Sequence, residues 1–280
     1  MVSRFAGALL RAVLVGVLFA LPVFVVPDIA ANDGAVVAVV SICMFLWCFS
    51  EYFSASPSLI EFRDAPPFNR IRYASLFVIV YSLALIQAHA DAPSTATRLT
   101  HNIGAIIGYS IDLPGSPVKL MAMQFPTVAG DISFTAFLAS AGISYLTSLL
   151  ALVVFMAVFY LKNWPSNSGP FNVWINLPTF DPTTAGDVIE RINRDARINI
   201  VLGFVLPFLI PAVIGVLFRF VGVSPFDSPY LMIWVIAGWA FLPTGMIMRG
   251  IALSRVAHLA TETQKRLTEE QHGNSASAYG

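Results

Sequence analysis

The chain has 280 residues, 57% of them hydrophobic and only 11% charged, with a mean hydropathy of +0.75. A soluble domain carries about 25% charged residues, so this chain cannot be clothed in polar surface, and water is excluded as its solvent. The formal net charge is zero, which removes any global attraction to nucleic acid and leaves the lipid bilayer as the expected partner.

The first apolar run, Phe5–Pro27, is interrupted by Arg11. The core that remains, Ala12–Val26, has about the length of a signal-peptide h-region. Asp28 and Ile29 before Ala30 and Ala31 make a poor cleavage context, and the run is read as a retained anchor. The second run, Ala35–Phe53, holds both cysteines, Cys43 and Cys48. Their spacing puts them about 140° apart on a helix, which suits packed thiols and neither a disulfide nor a metal pair. A short connection, Ser54–Arg72, leads to the third run, Tyr73–Ala90.

The connection over 91–135 is too apolar for a plain linker. Leu99, Ile103, Ile106, Ile107 and Ile111 recur at helical spacing, which predicts a helix lying in the membrane interface. Gly104 and Gly108 form a GxxxG pattern, which permits close contact in a spanning helix and here weakens the helix. Val118–Phe125, with Met121, Met123 and Phe125, adds a second apolar stretch. The segment reads as an interfacial cover over the bundle, with a re-entrant hairpin as the alternative.

The fourth run is Ala136–Leu161. After it, the connection over 162–197 opens on the helix-breaking stretch Trp164–Pro170 and continues through Phe171, Trp174 and Phe180. Asp181 as cap and Pro182 at the first helical position predict an amphipathic cytoplasmic helix over Thr183–Asn199. The i,i+4 pairs Asp187–Arg191, Glu190–Arg194 and Arg191–Asp195 would lace one face of that helix with opposite charges. The fifth run, Ile198–Gly222, contains Gly203, Pro207, Pro211 and Gly215, and the sixth, Tyr230–Gly250, contains Gly238, Pro243 and Gly245. The expected fold is thus all-α, a six-span membrane domain over 1–253, followed by a polar, partly disordered tail over 254–280.

Orientation follows from basic residues, which resist translocation. With the N-terminus inside, thirteen Lys and Arg fall on the cytoplasmic side, and only Arg98, Lys119 and Arg219 fall outside. Both termini are therefore expected in the cytoplasm. An Ala-, Val- and Gly-rich composition with short connections suggests a bacterial inner membrane.

Four groups of residues are candidates for function. Trp174, Phe180, Arg191 and Arg194 are candidates for docking a membrane or cytoplasmic protein, against the plainer reading of a topology-setting basic collar with aromatic interface anchors. Pro207, Pro211, Pro243 and Thr244 are candidates for a transport path, since interrupted helices build substrate sites in transporters; the competing reading is a structural kink. Arg11 and Glu51 are a candidate intramembrane ion pair. His89, His101, His258 and His272 show no ligand spacing, so neither metal nor other cofactor is expected. The patterns HExxH, GxSxG and GxxxxGK are absent. The expected function is a non-catalytic subunit of an inner-membrane assembly of transport or secretion type. The alternatives are a small-solute transporter or channel working through the fifth and sixth spans, and a membrane enzyme with an unfamiliar site.

Overall fold

The computed structural model describes residues 2–124, 134–161, 164–165, 176–178, 188–222 and 228–278. Among the described residues the chain is helical and contains no strand. In order the helices are α1 (Val2–Val25), α2 (Pro27–Asn32), α3 (Gly34–Phe53), α4 (Phe68–Gln87), α5 (Thr95–Ile111), α6 (Pro117–Ala122), α7 (Phe134–Leu161), α8 (Val188–Val221) and α9 (Pro229–Ala278). Six of them, α1, α3, α4, α7, α8 and α9, are long and apolar enough to cross a bilayer. This is the architecture of a multi-pass membrane protein. Large apolar side chains face outward along these helices, among them Leu10, Val39, Val153 and Phe204, an arrangement that is unfavourable in water and favourable in hydrocarbon.

Helices α4, α7 and α9 form the centre. Helix α8 packs on α9, α5 packs on α7, and the α1–α3 hairpin joins through contacts of α1 with α4. One core cluster, with Leu83, Phe137, Met232 and Ile236, lies toward the end that carries α2, α5 and α6. A second, with Phe62, Phe68, Phe155, Trp164 and Ala252, lies at the opposite, arginine-rich end.

Several elements differ from the sequence expectation. The expected charged helix leads into the fifth span without a break, and from Val188 the two are one helix, α8, because no breaker separates its polar first turns from its apolar length and Asn199 bonds back to the Asp195 carbonyl. The expected cap at Asp181 and Pro182 lies outside the described residues. Helix α9 does not stop at Gly250. That glycine is spent on helix contact instead, since a Cβ there would stand 2.7 Å from the Ala196 carbonyl oxygen. The polar tail continues α9 as helix to Ala278. Elongation adds one hydrogen bond per residue fixed, so a helix already nucleated runs on easily.

The α5 helix begins with a capping box, in which the Ser94 hydroxyl accepts from the Thr97 N–H and Thr97 Oγ1 accepts from the Ser94 N–H. Its two glycines do not weaken it to no purpose. A Cβ on Gly108 would meet the Leu138 carbonyl oxygen at 2.5 Å, and one on Gly142 would meet the Gly108 Cα at 2.5 Å, so α5 and α7 touch backbone to backbone. The short α6, capped by Ser116 with Pro117 at its first position, buries Val118 and Met121 in the core cluster at that end of the bundle.

Candidate functional site

The arginine-rich end is folded, not merely looped. Glu51, in the last turn of α3, accepts from the backbone N–H groups of Ser58 at 3.0 Å, Leu59 at 3.0 Å and Ile60 at 3.1 Å. Such a nest of successive amides satisfies a carboxylate that the helix end has carried into a largely apolar setting. Arg63 Nη1 donates to the carbonyls of Glu51 at 3.0 Å and Ser54 at 2.9 Å and closes the turn. Phe62 takes a φ of 53°, costly for a bulky residue. It is held there by its N–H bond to the Asn176 carbonyl at 2.7 Å and by packing of its ring on Phe68 and Trp164. Asp64 N–H donates to Asn176 Oδ1, Trp164 Nε1 donates to the Ala65 carbonyl, and Arg255 Nε donates to the Trp164 carbonyl. Two connections distant in sequence are thus joined to each other and to α9.

The turn delivers Glu61 to α9. Its carboxylate takes both Nε (2.5 Å) and Nη2 (2.7 Å) of Arg249 in a bidentate pair, and Asn69 Nδ2 donates to its carbonyl at 2.8 Å. Fork-to-fork geometry of this kind is the strongest ordinary ion pairing.

Beside the pair lies a cavity of about 980 Å³ between the α1–α3 hairpin and the α4–α9 face. Its apolar wall includes Leu14, Leu18, Met44, Trp47, Leu76 and Phe241. Its charged lining is Arg11, Arg63, Arg70, Arg72 and Arg249 against Glu61 and Asp64, a surplus of three positive charges. A smaller cavity of about 440 Å³ adjoins it, sharing Arg11, Tyr52, Arg63 and Asp64 and adding Arg4. Along the cleft, Phe19 stacks on Trp234 at 4.3 Å, and the Tyr73 hydroxyl donates to the Leu14 carbonyl at 2.9 Å.

Arg72 is the exceptional member. Its guanidinium lies between the rings of Phe68 (5.4 Å) and Phe241 (5.6 Å), close to Gly245 of α9. Its Nε is shut off from solvent without a hydrogen-bond partner. Cation–π contact offsets part of the desolvation cost and leaves the buried Nε without an acceptor.

The residues singled out from sequence fare unevenly. Arg11 and Glu51 do not form the expected ion pair: the carboxylate is taken up by the amides of 58–60, and Arg11 lies over the Tyr52 ring at 4.8 Å while donating to the Gly7 carbonyl. Both nevertheless belong to this region, Arg11 lining the cleft and Glu51 bonded to the amides of Leu59 and Ile60, which line it. Trp174 and Phe180 lie outside the described residues. Arg191 and Arg194 stand on the first turns of α8; Arg194 is 3.8 Å from Asp195, and the Glu190–Arg194 pair does not form. Pro207, Pro211, Pro243 and Thr244 are all buried, and none lines the cleft. Trp239 Nε1 donates to the Pro207 carbonyl at 2.9 Å, the acceptor that Pro211, lacking an N–H, leaves without its helical partner.

Sequence reasoning missed Glu61, Arg249 and Arg72 as a group, having counted the two arginines only toward topology. The available signal was Pro66–Pro67, a helix-start marker that begins α4 at Phe68 and so places Arg72 more than a turn inside. It also missed His89 and His101, whose rings meet at 4.7 Å across the α4–α5 turn. No group of three metal-ligating side chains exists among the described residues. Comparison with family models, with curated proteins and with solved structures yields no match.

Proposed function

We propose that the chain is a non-catalytic subunit of a bacterial inner-membrane assembly of transport or secretion type, with both termini and the arginine-rich end in the cytoplasm. The observation that carries this reading is the folded platform of residues 58–65, Trp164 and Asn176. A connection that only returns the chain to the membrane has no need of a strained Phe62, a buried indole and a carboxylate-amide nest. The bias of Lys and Arg toward that end supports the orientation, and α5, with Leu99, Ile103 and Ile106 outward, suits a cover in the opposite interface. The transport path through the fifth and sixth spans has less support, because the proline carbonyl that would line it is met by Trp239.

Purification in mild detergent tests the reading. A stable set of other membrane proteins should accompany the wild-type chain. It should be lost from Trp174→Ala, with Arg191→Glu and Arg194→Glu weaker in effect, since aromatic anchors dominate interface energy and rim charges add little. Impermeant cysteine labelling checks orientation in the same strains: positions 32, 116 and 227 should react from outside, and 56, 167 and 271 should not. A chain that purifies alone and homogeneous from every detergent, or that labels from outside at 167, overturns the proposal.

A further inference from the structure

The cleft beside the platform has a charge surplus that the fold leaves unused. Glu61 is consumed by Arg249 in a bidentate pair, so it reaches Arg72 only through space. Arg63 is spent on two backbone carbonyls, and its Nε lies 3.6 Å from Asp64. Arg72 makes no hydrogen bond or ion pair among the described residues, and it stands in a helix that is apolar enough to cross a bilayer. A guanidinium whose Nε is shut off without an anion is costly, and charged groups within membrane-spanning helices often mark ligand or ion sites.

We infer that the cleft binds an anionic amphiphile, a phosphate-headed membrane lipid whose headgroup is taken by Arg72 with Arg11 and Arg70 on the same cavity. Its first acyl methylenes lie along Leu14, Leu18 and Leu76. Three properties of the cavity select this chemistry. The volume, about 980 Å³, is at the upper end of the range for small-ligand sites, roughly 300–1,000 Å³. Positive charge is gathered with an apolar wall, which matches a ligand charged at one end and apolar along its length. Leu14 and Trp47 line the cavity and keep much of their surface accessible, so its apolar wall can be reached by a ligand from outside the bundle. A planar guanidinium, with its forked donors, suits phosphate oxygens better than a lysine would. The inference is independent of the assembly reading, since a lipid can occupy the cleft whether or not partner proteins dock.

Thermal unfolding of the full-length protein in detergent, with three additives, tests it. Phosphatidylglycerol should raise Tm by about 5 °C or more, as saturating binding to the folded state does for a chain of this size. Phosphatidylcholine and inorganic phosphate should each move it by less than a third of that. Arg72→Gln should abolish the phosphatidylglycerol shift. Leu14→Trp, which fills the cleft and leaves every charge in place, should reduce it at least twofold and decides the matter if the arginine variant does not fold. An equal shift with phosphatidylcholine would mean non-specific lipid solvation, and an equal shift with phosphate would mean a free-anion site. Either result overturns the inference, as does a wild-type protein indifferent to all three additives, or a shift that survives both substitutions.

Discussion

Two regions of this bundle are built from apolar helices interrupted by residues that membranes tolerate poorly, and they resolve in opposite ways. Between α8 and α9 the interruptions vanish into packing. Gly203 lies against the backbone of Pro243 and the side chain of Ile247, Gly250 lies against Ala196 and Ile200, and the carbonyl released by Pro211 is taken by Trp239. Around α1 and α4 the interruptions are arginines, and they line a cavity of about 980 Å³ between the α1–α3 hairpin and the α4–α9 face. The contrast teaches that glycine and proline in a spanning helix are local problems, solvable by one neighbour at close range. A guanidinium needs a partner of opposite charge, and when the fold supplies fewer carboxylates than arginines the remainder faces a space.

The largest expected effect tests the closeness of the seam. In Gly203→Leu the new Cβ would stand 2.5 Å from the Pro243 carbonyl oxygen and 3.0 Å from Ile247 N. Backbone cannot yield as a side-chain tip does, so the cost should reach about 3 kcal/mol or more. Size-exclusion chromatography in detergent should show the monodisperse peak lost; a normal peak would mean that α8 and α9 are less tightly joined than described. Next comes Glu61→Ala, which strands Arg249 and deprives Arg72 of its through-space counter-charge. A fully buried pair broken in this way costs about 3–5 kcal/mol. With the Arg249 side chain 29% exposed, about 2 kcal/mol is expected after solvent screening, read as a lower Tm that Arg249→Met in the same chain partly restores.

A smaller and sharper test concerns the proline kink. Trp239→Phe removes the donor to the Pro207 carbonyl and should cost about 1–2 kcal/mol. Pro211→Ala restores the helical N–H four residues on, so in the Trp239→Phe background it should recover a good part of that loss, while alone it changes Tm little. A double-mutant cycle on Tm measures the coupling; strict additivity would show that the indole bond does not answer the proline. The smallest effect belongs to the rim. Arg194→Glu, on an exposed side chain 3.8 Å from Asp195, should change stability by no more than about 0.5 kcal/mol. It is the stability control for the association experiment.

Much of this was readable in the sequence. Runs of apolar residues near 20 long fix the number and type of helices, because backbone groups in hydrocarbon have no partner except their own helix. The periodic Leu99, Ile103, Ile106, Ile107 and Ile111 predict the helix α5, and Pro117 after Ser116 fits the start of α6. Boundaries were less legible. Tyr73 was read as the start of the third span where the helix begins at Phe68, and that difference of little more than one turn hid Arg72, since an arginine before a span reads as topology and one inside it reads as a site. Gly104 and Gly108 were recognised as a contact pattern, yet only the placement of Gly142 opposite them gave the pattern a purpose.

Composition, run length and the positions of Lys and Arg thus determined by themselves that this chain is a helical bundle with six helices able to span a bilayer. These properties are sums over local residues, and each helix satisfies its backbone alone. Which charges are neutralised was decided only by tertiary structure. Glu51 lay open to Arg11 by proximity along the spans, and the fold gave it to the amides of 58–60; Glu61 and Arg249, separated by most of the chain, became the bidentate pair, leaving Arg72 unpartnered beside the cleft. Pairing in a low-dielectric interior depends on distances of a few ångströms between helices that the sequence does not order relative to one another, and a shift of one helix by a single turn exchanges one partner for another.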